Sequence, residues 1–412
     1  MLQNFGLGAF DPQRAEHQAS LIFAGFVLSI YFLHGVLSNA IAVICFLTAW
    51  AVNVRRYRAG SKFDVCITPI TIALLVAVAL RLLLPPYGSN TTVPGSGVTR
   101  LVLLVGLFGV VLNAYACVKF NRLLWIIALA AFFSSLIGLG WYLHRGDFAA
   151  RLVFADRSTN PILGAGSAAV GVAATIVLFR MHTGNPGWVR AGLVIMVALE
   201  AAAIYLSGSR GPILAFVLAL VCTPLLMARS SWTSLFGSAL AAWIFVSLCV
   251  FFEEPIKRAL CPLTSLACRS SFRPDVWIAS LGKIAEHPFL GLGYDFRFQG
   301  VAHSHNAYIG LALHYGVPLL ALFVAFMAIC ARDAMRLERK DEKLFVVFLF
   351  LFANGFMGSD LSDPIKFINT HYVFLWLPLF LAIVGQKREY AIAVVSSRAG
   401  QQQRLSEGEL ER

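Results

Sequence analysis

The chain has 412 residues, of which 58% are hydrophobic and 13% charged, a balance more apolar than that of soluble globular domains. Its formal net charge is +12, but a nucleic-acid-binding protein would carry such charge as a basic patch on a soluble surface. The basic residues here are sorted among the loops between apolar runs. The composition therefore predicts a membrane protein and argues against nucleic acid as a partner.

Apolar runs long enough to cross roughly 30 Å of hydrocarbon as helices recur along the whole chain. They predict an all-α polytopic membrane protein with about twelve transmembrane helices, near 20–36, 38–52, 65–84, 101–118, 123–142, 162–180, 188–206, 211–227, 233–252, 305–330, 344–358 and 370–386. The N-terminal stretch is charged and lacks a small-residue cleavage site, so we expect no cleavable signal peptide.

An even number of spans places both termini on the same side of the membrane. The loops on that side hold most of the basic residues, namely Arg55, Arg56, Arg58, Lys62, Lys119, Arg122, Arg180, Arg190, Arg229, Arg332, Arg336, Arg339, Lys340, Lys343, Lys387 and Arg388. The positive-inside rule therefore predicts cytoplasmic termini. The chain then divides into transmembrane helices over 1–252, a periplasmic loop with amphipathic helices over 253–304, further transmembrane helices over 305–386 and a cytoplasmic tail over 387–412.

Arg210 lies where one predicted span ends and the next begins, in the sequence SGSRGP. The small residues around it predict a sharp turn that lets a ligand approach the backbone. An arginine near a helix end that points inward costs free energy unless an anion or a partner receives it. We therefore take Arg210 as a candidate anion-binding residue, with extension to the membrane interface as the alternative.

The only long polar interval inside the chain covers 272–316. Its first part, RPDVWIASLGKIAEHP, has apolar residues at roughly helical spacing and predicts an amphipathic helix along the membrane surface. Arg273, at the start of this helix, is a second candidate anion-binding residue, and Arg297 is a weaker third. The alternative is a structural lid in which Arg273 pairs with Asp275 or Glu286.

The same interval ends in HSHNAYIGLALHYG, for which we predict a helix beginning near His303. His305 and Tyr308 would then lie on one helix face beside Asn306 and project into one pocket. A neutral histidine suits a general base near pH 7, and we take His305 as the candidate base with His303 as its rival. A helix cap or a satisfied polar group is the alternative. Since no Cys or Glu ligand stands at a suitable spacing, we predict no metal site.

Asp360 and Asp363 follow the eleventh predicted span at its exterior end. Carboxylates at this place would orient an imidazole or an arginine, and we keep Asp360 as a supporting candidate. The alternative is a solvated turn.

Most of the eight cysteines lie in apolar runs, where a free thiol behaves as a small hydrophobic group. Cys261 and Cys268 lie close together in the long polar loop instead. They predict a local disulfide if that loop faces an oxidising compartment, with two reduced thiols as the alternative.

Three features together resemble the bacterial O-antigen ligases and the superfamily that these share with O-antigen polymerases and protein O-oligosaccharyltransferases. The first is the predicted topology, with one large periplasmic loop late in the chain. The second is an arginine followed by three residues and a leucine, from Arg210 to Leu214, and the third is the pair His305–Asn306 followed by nine residues and Gly316. The run RPDVWIAS…EHPFLGLG is also similar to the loop pattern of the superfamily. At Pro318–Leu319 the chain departs from the ligase pattern.

The resemblance implies a membrane glycosyltransferase of GT-C-like architecture in the bacterial inner membrane, which needs no cofactor. Such an enzyme transfers a glycan from undecaprenyl pyrophosphate to a sugar hydroxyl of lipid A-core on the periplasmic face, by a metal-independent inverting reaction that completes lipopolysaccharide. Its partners are the lipid-linked donor, the lipid A-core acceptor and membrane lipids. In this chain the base would be His305 or His303, the pyrophosphate would be held by arginines, and other polar residues would support them; these residues are Arg210, Arg273, Arg297, Asn306, Tyr308 and Asp360.

Two other functions remain as alternatives. An O-antigen polymerase or a protein O-oligosaccharyltransferase would use the same donor and differ only in the acceptor. A membrane transporter would need charged residues near the bilayer midplane, where the sequence offers few, namely Arg81, Glu200 and Glu253.

Overall fold

A computed structural model of the chain shows a bundle of α-helices. It describes residues 12–58, 74, 76–79, 94–148, 150–155, 160–184, 186–229, 231–261, 273–293, 296, 298, 304–365 and 369–385. The predicted tail after residue 386 lies outside these residues, as does nearly all of the third predicted span.

The described helices are numbered in chain order. Their bounds are α1 Pro12–Tyr31, α2 Gly35–Arg58, α3 Pro94–Cys117, α4 Phe120–Arg145, α5 Pro161–Met181, α6 Gly187–Leu206, α7 Arg210–Arg229, α8 Trp232–Phe251, α9 Glu253–Leu260, α10 Arg273–Glu286, α11 Ala307–Tyr315, α12 Val317–Met335, α13 Lys340–Met357 and α14 Tyr372–Gly385. The last of these begins with a π-helical turn over Tyr372–Trp376.

Eight of the described helices, α2 to α8 and α12, are long and apolar enough to cross a membrane. Each predicted span except the third overlaps described helices, and the tenth overlaps two of them. Helix α13 begins with charged residues, and α14 is shorter than a full span. The prediction of an all-helical, multi-pass membrane protein is confirmed.

Helix α13 is the centre of the bundle. After its charged first turn its Phe- and Leu-rich sequence is apolar on every face, and a helix of that kind is buried in a protein core or in a membrane. It packs against α5, α7, α8, α12 and α14, and almost all of its side chains are buried. Phe356 near its end stacks against Phe374 of α14 with 4.6 Å between ring centroids.

The outer helices turn large apolar side chains away from the bundle. Ile195 on α6, Val221 and Leu225 on α7, and Ile244 and Phe245 on α8 are all exposed. Contiguous apolar surface of this kind is unfavourable in water but suits contact with lipid. The faces between helices are close-packed instead, and glycines such as Gly171 and Gly355 let neighbouring helices approach.

The predicted tenth span is wrong in one respect, because the structure breaks it into α11 and α12. The break is at Gly316, whose φ is +90°, a conformation that strongly favours glycine. An added β-carbon there would overlap the carbonyl oxygen of Phe289. The amide of Val317 donates to the Pro288 carbonyl at 2.7 Å, so the break lets the end of the long loop pack against the helix pair.

Candidate active site

The candidate site lies at the end of the bundle where α6, α8 and α13 end and α7 begins, which we call the polar end. Its base is the turn that follows α13, residues 358–365. This turn is polar but buried, and Ser359 and Asp363 are fully inaccessible. Buried polar groups are costly unless they are hydrogen-bonded, so the partners of this turn show what it is built to hold.

Asp360 is the charged group at the centre of this turn. Its Oδ1 accepts a hydrogen bond from Arg273 Nη2 at 2.6 Å, and its Oδ2 accepts one from Ser359 Oγ at 2.7 Å. The side chains of Arg273 and Asp360 are 16% and 1% exposed. The pair is therefore largely desolvated, and losing either partner would leave an uncompensated charge.

Arg273 does not pair with Asp275 or Glu286 as the lid alternative requires. A hydrogen bond from Lys283 to Glu286 on the exposed side of α10 holds the pKa of Glu286 below its ordinary value. Helix α10 buries Val276 and Trp277, and the Trp277 indole donates to the Ser304 carbonyl. The amphipathic helix is present as predicted, and its apolar face fixes its first residue against Asp360.

Arg210 begins α7 after a tight turn at Gly208, whose φ is +61°. Its Nη2 donates to Glu253 Oε1 at 2.8 Å. The next residue, Gly211, lies directly against the turn after α13, because an added β-carbon would overlap Asp360 Oδ2 and Ser359 Oγ. The backbone beside Arg210 therefore touches the carboxylate that binds Arg273.

Arg151 is a third arginine at this end, and the sequence alone did not single it out. Its Nε donates to the Ser207 carbonyl at 2.7 Å and its Nη2 to Ser209 Oγ at 2.6 Å. It thus supports the turn that leads into Arg210. Its two partners, the Ser207 carbonyl and the Ser209 hydroxyl, are 56 and 58 residues away in sequence. No local sequence pattern predicts contacts over such separations.

Asn306 joins three elements at the polar end. Its Oδ1 accepts from the amides of Tyr308 and Ile309 and so caps α11. Its Nδ2 donates to the Gly358 carbonyl and to Ser247 Oγ, both at 3.2 Å. The amide thereby fastens the start of α11 to the turn that carries Asp360.

His305 precedes the helix rather than lying on it, which corrects the predicted helix start near His303. Its φ is +52°, and it is the only non-glycine residue with positive φ among those that the structure describes. Residues other than glycine adopt this conformation at a cost of roughly 1–2 kcal/mol. Its neighbour Asn306 is bonded to Gly358, so the backbone of His305 lies beside the polar turn.

Tyr308 lies in the first turn of α11, whereas His305 precedes that helix. The Tyr308 ring is buried and lies 4.5 Å from the Trp243 ring, and its hydroxyl donates to the side chain of Asn354 in α13. The tyrosine is therefore part of the packing between α8, α11 and α13. The two residues therefore do not share a helix face, and a pocket common to both stays a prediction.

A second buried ion pair holds the part of the polar turn that contains Asp363. Its arginine, Arg100, was not identified from the sequence. Arg100 Nη1 lies 3.3 Å from Asp363 Oδ2, which accepts a further hydrogen bond from the Tyr315 hydroxyl at 3.0 Å. Asp363 Oδ1 accepts from the Ile365 amide at 2.8 Å. These contacts tie α3 and α11 to the turn and restrict where Asp360 can move.

An apolar cavity lies between α2, α3, α12 and α14 and reaches Ile365 of the polar turn. Aromatic side chains form much of its wall, among them Trp50, Phe108, Phe323 and Trp376. The cavity lies within the membrane-spanning part of the bundle. Its chemistry suits a hydrocarbon chain and offers nothing to a sugar or a phosphate.

Three of the predicted residues, His303, Arg297 and Cys268, lie outside the described residues. Cys261 takes part in a disulfide, and its pairing with Cys268 stays a prediction. Within the described ranges no group of three or more His, Cys, Asp or Glu side chains could hold a metal ion.

The arrangement concentrates positive charge where several helices end. Arg151 bonds to Ser207 and Ser209, Arg210 pairs with Glu253, and Arg273 pairs with Asp360. Guanidinium groups bind phosphate oxygens through paired hydrogen bonds. The polar end is therefore suited to a multiply charged phosphate ester, with an imidazole close by in the chain.

Comparison with known proteins identifies a matching family model and a similar protein. A family model described as O-Antigen ligase matches residues 191–324, a stretch that contains Arg210, Glu253, Arg273 and His305. The chain is also 25% identical over 327 residues to an O-antigen ligase of Pseudomonas aeruginosa, an alignment that covers 76% of this chain and 77% of that protein. The chain is therefore similar to O-antigen ligases, both in the stretch that holds the candidate site and over most of its length.

Proposed function

We propose that the protein transfers an O-antigen glycan from undecaprenyl pyrophosphate to a sugar hydroxyl of lipid A-core at the periplasmic face of the inner membrane. The observation that carries the proposal is the convergence of Arg210 and Arg273 on one buried turn. Arg273 binds Asp360 directly, and Gly211 beside Arg210 touches the same carboxylate. The match to the O-antigen ligase family model and the similarity to an O-antigen ligase support the general role in O-antigen ligation.

The arginines would act on the leaving group. When the bond between the anomeric carbon and the diphosphate breaks, its electron pair leaves with the diphosphate oxygen, and charge develops there. Preorganised guanidinium donors in a water-poor site stabilise such charge strongly. Arg273 is held rigidly by Asp360, so it costs little to reorganise during the reaction, and Arg210 is the more accessible of the two.

The imidazole of His305 would take the proton of the acceptor hydroxyl. The hydroxyl oxygen then forms the new bond to the anomeric carbon on the face opposite the diphosphate, which inverts the configuration. Asn306 anchors the backbone next to His305 through its bonds to Gly358 and Ser247. His303 remains the rival base.

The lipid chain of the donor would approach from within the membrane. The apolar cavity that reaches Ile365 supports this, because an isoprenoid chain there would hold its diphosphate near the polar turn. The arginines could supply the charge stabilisation that a divalent metal supplies in other phosphate-transfer enzymes, so we propose a metal-independent reaction.

The direct test is transfer by the purified full-length protein from a defined undecaprenyl-pyrophosphate glycan to purified lipid A-core, with and without EDTA. Glycan on the core at the same rate in both conditions supports the proposal. Extended glycan on the lipid carrier would identify a polymerase instead, and inhibition by EDTA would refute metal independence. Absence of transfer to lipid A-core both in vitro and in a ligase-deficient strain that expresses the protein would overturn the assigned substrates.

A further inference from the structure

The two candidate diphosphate-binding arginines are paired in different ways. The pair of Arg273 with Asp360 is 16% and 1% exposed, whereas that of Arg210 with Glu253 is 39% and 8% exposed. Asp360 is held further by the Ser359 hydroxyl and by contact with Gly211. Its position is fixed from three sides.

Glu253 is held differently. It is the first residue of α9, a helix of eight residues with a second glutamate, Glu254, in its first turn. The N-terminal turn of a helix stabilises carboxylates through its unbonded amides and its dipole. Glu253 can therefore give up a bond to Arg210 without becoming an isolated charge, which Asp360 cannot do with Arg273.

The weaker hold on Glu253 affects how the donor diphosphate can bind Arg210, an inference that rests on the proposed function. A carboxylate 2.8 Å from Nη2 of Arg210 occupies one of the donors that a diphosphate oxygen would use. Two anions cannot share that guanidinium edge without strong repulsion. Binding of the diphosphate must displace Glu253 or be weakened by it.

We propose that Glu253 is an exchangeable counter-ion that competes with the diphosphate of the donor for Arg210. In the empty site it holds the guanidinium in place and offsets its charge. When the donor binds, Glu253 moves back toward its own helix terminus, and Arg210 transfers its hydrogen bonds to the diphosphate. After transfer the returning carboxylate favours release of the undecaprenyl pyrophosphate product.

The test compares Glu253→Gln with the control Glu254→Gln in the full-length protein reconstituted in lipid nanodiscs. Glu254 is the next residue on the same helix, its side chain is 61% exposed, and it pairs with Lys257. The probe is undecaprenyl pyrophosphate without glycan, followed by the KM for the glycan donor. Since a partly exposed ion pair contributes about 1 kcal/mol at most, we expect Glu253→Gln to lower the Kd and KM roughly fivefold. Glu254→Gln should change neither.

A merely structural role for Glu253 predicts the opposite, a higher KM together with lower thermal stability. Unchanged or weaker binding in Glu253→Gln therefore overturns the counter-ion proposal. Glu253→Asp, which withdraws the carboxylate by one methylene, is the second variant if the first does not fold, and it should also bind more tightly. If wild-type protein does not bind the probe, or Arg210→Ala leaves its Kd unchanged, the proposed function itself fails at this site.

Discussion

At the scale of single residues, the left-handed conformation of His305 allows its imidazole and its backbone conformation to be tested by different substitutions. Asparagine adopts positive φ more readily than other non-glycine residues. His305→Asn therefore removes the imidazole while keeping the conformation of the turn before α11. His305→Ala would add backbone strain to the loss of the base.

We predict that His305→Asn lowers the transfer rate at least a hundredfold, which is the lower end of what a general base contributes. Thermal unfolding in detergent should stay within a few degrees of wild type, while His305→Ala should unfold earlier. Rates are measured with purified protein at saturating donor. Retained activity in His305→Asn would transfer the role of base to His303.

Arg210 allows a similar separation of charge from geometry. Lysine keeps the positive charge but lacks the planar fork that binds two phosphate oxygens at once. We predict that Arg210→Lys lowers kcat/KM for the donor at least tenfold. Arg258→Lys, on the exposed side of α9, is the matched control and should have wild-type kinetics. Equal rates in both variants would mean that only charge, not bidentate contact, is needed at 210.

At the scale of helices, the positions of most spans could be predicted because the membrane leaves little choice. An apolar run must satisfy its backbone internally, so it becomes a helix wherever it is long enough. The predicted span 188–206 coincides almost completely with α6. The break at Gly316 could not be predicted in the same way, because the apolar run continues through it and only the contact with Phe289 requires the turn.

The partners of the site residues were less predictable than the residues themselves. Arg273 was identified as a candidate from its place before an amphipathic helix, but its partner Asp360 is 87 residues away in sequence. Arg100 pairs with Asp363 across 263 residues. Pairing of this kind depends on which helix ends meet in the bundle, and hydropathy carries no information about that.

The close approach of α7 to the polar turn gives a prediction at this scale. In Gly211→Ala the new methyl group would overlap Asp360 Oδ2 and Ser359 Oγ, so the carboxylate must move away from Arg273 or α7 must shift. We predict a loss of stability of about 2 kcal/mol or more, together with loss of transfer. The measurement is thermal unfolding and transfer rate of the purified variant.

Gly192→Ala on α6 is the matched control for this substitution. Nothing lies within 4 Å of an added β-carbon at 192, and alanine is favoured over glycine inside a helix by about 1 kcal/mol. That variant should be as stable as wild type or slightly more so. A stable and active Gly211→Ala would show that Asp360 is not confined by α7.

At the scale of the whole molecule, the bundle has two chemically different ends. The polar end carries the buried arginine–carboxylate pairs between separate helices. At the opposite end the arginines are more exposed: Arg180 at the end of α5 lies 3.5 Å from Asp341 at the start of α13, and Arg339 lies 3.0 Å from the buried Glu342. Basic residues in short loops are retained on the cytoplasmic side, so this asymmetry predicts the orientation in the membrane.

We predict that the polar end faces the periplasm, and exposed positions at the two ends provide the test. Glu286 ends α10 beside the polar end, and Glu338 lies between α12 and α13 at the other; both are exposed. In cells with a permeabilised outer membrane, an impermeant maleimide should label Glu286→Cys and not Glu338→Cys. The free native cysteines among the described residues are buried or half-buried, and the labelling of the parent protein provides the baseline. The reverse pattern would place the arginines on the cytoplasmic side, where a lipid A-core acceptor displayed in the periplasm could not reach them.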